Sequence, residues 1–211
     1  MKKKVLGYYD YTVILTYCGM LFAFCGILSA IEYRFVDSLI CLMFAGVCDL
    51  FDGTVAATKD RSDSEKRFGI QIDSLSDLLS FGVLPAIFVY VFCKGQRFVA
   101  VIAALYVLCA LIRLAYFNVL EEDRQKETDE AREKYLGSPV TTIAIILPAM
   151  YIFYLYKICK RMIYFPILLV IIAIGFLAPV EIKKPKKMGK ICMLCIGLVE
   201  IAMLFIFRGG R

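Results

Sequence analysis

DLFDGTVAATKDRSDSEKRFGIQIDSLSD, residues 49–77, is the stretch on which the reading of this chain turns. Asp49, Asp52, Asp73 and Asp77 stand at helical spacings, inside or at the edge of apolar segments, with a short charged connection between the two pairs. A carboxylate near the middle of a bilayer costs on the order of several kcal/mol unless it is paired, hydrated or bound to a cation. The chain contains no His, and the nearby Lys and Arg all lie in the connection. A divalent metal is the simplest compensation for four such groups.

The surroundings support a membrane setting. The chain has 211 residues, is 61% hydrophobic and has a mean hydropathy of +0.74, well above the roughly 45–50% apolar content of a soluble domain. Charges cluster between apolar segments of spanning length, as a polytopic helical protein requires. The expected fold is therefore all-α: one polytopic transmembrane helical bundle of six to eight spans. Residues 1–10 form an interfacial N-terminal segment, and 35–157 hold the catalytic core helices.

Spans are expected at about 11–31, 35–57, 68–93, 98–119, 139–156, 163–180 and 191–207. The first is too long an apolar run for the core of a signal peptide and reads as a retained span. The charged run 121–136 reads as a short surface helix with a mostly solvated face. With the N-terminus inside, seventeen Lys and Arg fall in inside loops and eight outside. This bias places the N-terminus and the 49–77 connection on the cytoplasmic side of a cell membrane. It also accounts for the net charge of +6 through anionic headgroups, so nucleic acid is not needed as a partner.

The missing His excludes a Ser-His-Asp triad, a His general base and His-ligated zinc or haem. Acid–base work falls to Asp, Glu, Lys, Tyr or Cys. The nine Cys lie mostly within apolar segments. Cys192 and Cys195 form the single CxxC, read as small apolar-phase thiols.

Asp49 and Asp52 project from one side of the second span, in line with Gly46 and Gly53. Gly69, Asp73 and Asp77 repeat at steps of four on the third. Carboxylate oxygens from two adjacent helices can hold two hard cations, Mg²⁺ or Mn²⁺, of the kind that clamp a pyrophosphate. The fourth carboxylate is free to take a proton from an alcohol. DxxDG alone recurs by chance, but joined to GxxxDxxxD on the next helix it is specific. A cluster of helix-end carboxylates and the cation path of a transporter are the alternatives.

Asp49-Leu-Phe-Asp52-Gly53-Thr-Val-Ala56, followed by Gly69-Ile-Gln-Ile-Asp73-Ser-Leu-Ser-Asp77, resembles the signature of the CDP-alcohol phosphotransferase family, DxxDGxxAR and GxxxDxxxD. Two departures stand out: Ala57 replaces the usual Arg, and the spacer, Thr58 to Phe68, has eleven residues. SEKRFGIQIDSLSDLLSFGVLPA (64–86), Arg113 to Asn118 and Tyr135 to Thr142 are similar to the serine-specific membrane-spanning branch. The resemblance implies transfer of the phosphatidyl group of CDP-diacylglycerol to the hydroxyl of L-serine, releasing CMP. It implies metal ligation by Asp49, Asp52 and Asp73, with Asp77 as a fourth metal contact and also as general base. Asp49, Asp52, Gly53, Ala56 and Gly69 would contact the donor, with Lys59 or Arg61 standing in for the missing Arg. Arg113, Asn118, Ser138 and Thr141 are the candidates for serine, ahead of Arg124 and Lys126. The family further implies a homodimer. Glycerol phosphate or inositol phosphate as acceptor, and an inactive homologue, are the rival readings within the family.

Overall fold

A computed structural model describes residues 6–127, 134–183 and 187–209. Helix α1 spans Tyr11–Ile31 and α2 Phe35–Ala56. Helix α3 runs over Asp63–Phe92 and α4 over Arg97–Glu127. A 3₁₀ turn, Val140–Thr142, leads into α5, Ile143–Leu155. Helix α6 covers Tyr164–Leu177 and α7 Lys187–Gly209. Among the described residues, the exception to an all-helical fold is a pair of three-residue antiparallel strands, β1 (Lys134–Leu136) and β2 (Glu181–Lys183), with Tyr135 opposite Ile182.

Local chemistry sets the helix starts that matter for the site. Asp10 caps α1, its carboxylate accepting from the Thr12 amide at 3.0 Å. Helix α3 begins at Asp63, five residues before the expected Phe68, because Ser62 and Glu65 form a reciprocal capping box that satisfies two otherwise orphaned amides. Helices α1 and α2 pack closely through small residues. A Cβ on Gly26 would meet Cys41 Cβ at 3.0 Å, and one on Gly19 would meet Cys48 Cβ at 3.3 Å. Close backbone approach of this kind is how helices associate where no water drives them together.

Immediately after Asp77, α3 widens into a π-helical stretch, Leu78–Val83. A π turn shifts carbonyls out of the regular ladder. Within this stretch, the Phe81 carbonyl accepts a hydrogen bond from the buried Tyr106 hydroxyl of α4 at 2.7 Å. The far end of the bundle is closed by an aromatic cluster: Phe35, Phe88, Phe92, Tyr151 and Phe165 stand with ring centroids 4.6–6.4 Å apart. That rigid end leaves the charged end of α2 and α3 to carry the site.

Four helices among the described residues are long and apolar enough to cross a membrane: Tyr11–Ile31, Phe35–Ala56, Asp63–Phe92 and Arg97–Asp123. The chain is a polytopic helical membrane protein with fewer full-length spans than the expected six to eight. The remaining apolar helices are shorter, Val140–Leu155, Tyr164–Leu177 and Ile191–Ile206. Fourteen residues, as in α6, reach about 21 Å at 1.5 Å per residue, against a hydrocarbon core of about 30 Å. The expected surface helix over 121–136 is also revised. Helix α4 continues through Glu127 and the backbone at 134–136 is a strand, while 128–133 lie outside the described residues.

Candidate active site

Helices α2 and α3 bring the acidic groups together as their spacing suggests. Carboxylate oxygens of Asp49, Asp52 and Asp73 all lie within 4.8 Å of one another. Asp73 is in hydrogen-bond contact with Asp52, and Asp77 with Asp49. Thr16 of α1 donates its hydroxyl to Asp52 at 3.2 Å, and the Ser76 hydroxyl donates to the Thr16 carbonyl at 3.2 Å. So α1 acts as a third wall, fixing one carboxylate through a residue that local spacing does not reveal.

Like-charged groups this close cannot all remain ionised without protons or a cation between them. The donor set is entirely hard oxygen, converges from two helices and is half-buried, which suits Mg²⁺-type chemistry and no soft metal. Gly53 adds a further point of fit: a Cβ built there meets nothing within 4 Å, so the helix surface beside the carboxylates is open to a ligand. These residues fit a divalent metal centre.

The cluster opens into a cavity of about 470 Å³, which Gly53, Ala56 and Gly69 also line. Its cations are Arg61, Lys66 and Arg113. Arg113 is buried, 6% exposed, and its guanidinium stacks on the Phe117 ring at 4.4 Å. Arg61 reaches the cavity over Gly69, where an added Cβ would come to 2.9 Å of its Nη1. Asn118 lines the cavity and also ties α4 to α3, accepting from Ser74 Oγ at 2.6 Å and donating to Gln71 Oε1 at 3.4 Å. Thr141 lines the cavity, carried there by the chain turn at Gly137. That glycine has φ +73°, and a Cβ would meet three carbonyl oxygens of residues 175–178 at 3.0–3.1 Å, so only glycine fits.

Two expected site residues lie elsewhere. Lys59 is absent from the cavity lining, because Asp10 and Glu65 hold its ammonium at 2.6 and 3.1 Å. The same hydrogen bonds raise its pKa, while Lys59 and Thr12 lower that of Asp10 to about 2. Ser138 also lies outside the lining. Its hydroxyl pairs with Thr142 at 3.3 Å and its amide donates to the Gly175 carbonyl at 3.0 Å. The side chains of Arg124 and Lys126 are outside the described residues. Lys66, one of the basic residues of the charged connection, lines the cavity, and so does Glu121, although the sequence reads the latter as part of a mostly solvated face. The signal for Glu121 was its place on one helical stripe with Arg113 and Phe117, at steps of four.

A second, apolar cavity of about 100 Å³ lies between α2, α5 and α7 and shares Asp49 and Thr141 with the first. A polar and an apolar compartment therefore meet at one carboxylate of the acidic cluster.

Comparison with known proteins agrees with this construction. Residues 11–178 match the family model described as CDP-alcohol phosphatidyltransferase. The chain is 39% identical over 109 residues to a CDP-diacylglycerol–serine O-phosphatidyltransferase of Saccharomyces cerevisiae, covering 50% of this chain and 38% of that protein. It is 30% identical over 151 residues to an archaetidylserine synthase of Methanothermobacter thermautotrophicus, covering 71% and 61%. It is 33% identical over 133 residues to a CDP-diacylglycerol–serine O-phosphatidyltransferase of Mycobacterium bovis, covering 63% and 44%. The chain thus spans between 38% and 61% of the length of these relatives. With the family model covering most of the sequence and the carboxylate cluster at its centre, this chain belongs to the CDP-alcohol phosphatidyltransferase family.

Proposed function

We propose that the protein transfers the phosphatidyl group of CDP-diacylglycerol to the hydroxyl of L-serine, giving phosphatidylserine and CMP. The observation that carries this reading is the Asp49–Asp52–Asp73 cluster facing a cavity that also holds Arg61, Lys66 and Arg113. The acidic side suits metal, and the basic side suits phosphate and carboxylate. The apolar cavity that shares Asp49 supports a donor whose lipid and nucleotide parts diverge at the cluster. The named activities of the relatives support the same choice.

Asp49, Asp52 and Asp73 would hold the divalent ions, two of Mg²⁺ or Mn²⁺, with Asp77 alongside. Bound there, the ions supply positive charge that stabilises the phosphoryl oxygens and the departing CMP. Gly53 and Ala56 let the cytidine diphosphate lie against α2, and Arg61 and Lys66 meet its phosphates. Asp77 takes the proton of the serine hydroxyl as the serine oxygen bonds to the β-phosphorus, the phosphorus of the phosphatidyl group. The bond from that phosphorus to the oxygen bridging to CMP breaks, and CMP leaves with the bond's electrons. A positioned base contributes roughly 10²–10⁴-fold to such a step. Arg113 receives the serine carboxylate, and Asn118 and Thr141 lie beside it. Glu121 supplies a negative charge for the α-ammonium, which a phosphorylated alcohol would not tolerate. This is the feature that favours serine over glycerol phosphate or inositol phosphate.

One catalytic domain, with core helices within 35–157, is part of the same proposal. So are a homodimer, a cell-membrane location and a cytoplasmic N-terminus and site, the last supported by the excess of Lys and Arg in the loops expected inside. The test is CMP release by purified protein given CDP-diacylglycerol and Mg²⁺ or Mn²⁺. Release should require L-serine, be much smaller with glycerol phosphate or inositol phosphate, and stop on chelation. Release that is independent of serine, or none with any acceptor, would overturn the reading.

A further inference from the structure

The connection between α2 and α3 is pinned at one residue. Lys59 Nζ lies 2.6 Å from Asp10 Oδ2 and 3.1 Å from Glu65 Oε1. Asp10 caps α1, and Glu65 closes the capping box of α3, so one ammonium joins the first turns of two helices. Two neighbouring contacts reinforce it: the Thr58 and Tyr11 hydroxyls pair at 3.2 Å, Thr58 giving its own proton to the Val55 carbonyl, and the Tyr8 and Phe68 rings stand 5.2 Å apart. Two residues beyond Lys59, Arg61 turns the other way, into the cavity and over Gly69. A surface connection with no such tie samples many backbone states, and only a fraction of them would present Arg61 to a ligand. Apparent affinity falls by that fraction.

We propose that Lys59 is a positioning residue, whose ion pairs with Asp10 and Glu65 hold the connection so that Arg61 faces the cavity and meets the donor's diphosphate. Lys59 itself does not touch the donor. This inference rests on the proposed function for the identity of the ligand, but the restraint itself does not depend on it.

The rival reading, in which Lys59 binds the donor directly, makes the opposite prediction for one variant. Asp10→Asn keeps a good helix cap but removes an anion from Lys59. If Lys59 binds the donor, that change frees it, and donor KM stays the same or falls. If Lys59 positions Arg61, donor KM rises.

The experiment measures donor and serine KM and kcat for the full chain in detergent, as wild type, Asp10→Asn, Lys59→Ala, Lys59→Arg and the Asp10→Asn/Lys59→Ala double variant. Donor KM is expected to rise roughly three- to tenfold in Asp10→Asn and Lys59→Ala, the factor by which the competent orientation is depopulated. Serine KM and kcat should stay close to wild type, the double variant should be no worse than Lys59→Ala, and Lys59→Arg should restore most of the affinity. An unchanged or lowered donor KM in Asp10→Asn overturns the proposal, as does a parallel change in serine KM and kcat, which marks general loosening. Limited trypsin digestion reads the restraint without turnover: cleavage after Arg61, Lys66 or Arg67 should be faster in Asp10→Asn than in wild type. If wild type shows no serine-dependent turnover, the proposed function fails and digestion alone decides the restraint. Unchanged cleavage then overturns it.

Discussion

The Tyr106 hydroxyl donates to the Phe81 carbonyl at 2.7 Å, across the interface between α4 and the widened turn of α3. The bond satisfies a backbone acceptor beside the one irregular stretch of the helix that carries Asp73 and Asp77. Removing it by Tyr106→Phe deletes a buried hydrogen bond between the two helices, which costs about 0.5–1.5 kcal/mol. Thermal unfolding in detergent should drop accordingly. Because the π turn follows Asp77 directly, kcat should also fall while donor KM changes little. Unaltered stability and kcat would mean that the regular ladder or water replaces the bond.

Gly53 separates folding from ligand approach. An added methyl meets no atom of the chain within 4 Å, and Ala is better than Gly in a helix by about 1 kcal/mol. Gly53→Ala is therefore expected to leave stability equal or slightly raised while weakening the donor, read as an increased KM for CDP-diacylglycerol. A variant with wild-type KM would show that the ligand does not lie against this face of α2.

Glu121 tests the acceptor half of the cavity. Glu121→Gln should raise the KM for L-serine roughly tenfold or more, the range for losing a charged hydrogen-bond partner. The KM for 3-hydroxypropionate, which keeps the carboxylate and hydroxyl but lacks the ammonium, should be unaffected or improved. Equal losses for both acceptors would assign Glu121 to structure and leave the ammonium without its proposed partner.

Asp10 gives the pinned connection a pH signature. Hydrogen bonds from Lys59 and Thr12 lower its pKa from 3.8 to about 2. A carboxylate depressed on folding contributes stability that is fully present above its unfolded pKa and lost as pH falls through the folded value. Wild type should therefore be more stable than Asp10→Asn above about pH 4. The difference should shrink between there and about pH 2, as followed by thermal unfolding across that range. A difference that persists at the acid end would place its origin in something other than the Asp10 charge.

The carboxylate cluster is legible in the sequence because its logic is local. Steps of three and four put Asp49 and Asp52, then Asp73 and Asp77, on single helix faces, and a membrane makes such groups expensive enough to need a reason. What spacing does not carry is pairing across the chain. Lys59 reads as a phosphate ligand until Asp10, 49 positions earlier, takes its ammonium. Thr16 reads as an ordinary span residue until its hydroxyl meets Asp52. Glu121 belongs to a run that is mostly solvated by composition, and only the extension of α4 past the expected end of its span brings it to the cavity. Span length is less legible for a related reason: α6 is apolar throughout but only 14 residues long, and hydropathy does not register the turns that end it.

The most direct test follows labelled L-serine into lipid in the presence of CDP-diacylglycerol and Mg²⁺ or Mn²⁺, comparing wild type with Asp77→Asn and measuring donor binding to both. Wild type should form labelled phosphatidylserine with one CMP per lipid. Asp77→Asn should bind the donor yet turn over at least roughly 10²-fold more slowly, as expected for loss of a general base. No labelled lipid from wild type would contradict the proposed reaction, and undiminished turnover in Asp77→Asn would contradict the role given to the carboxylate at its centre.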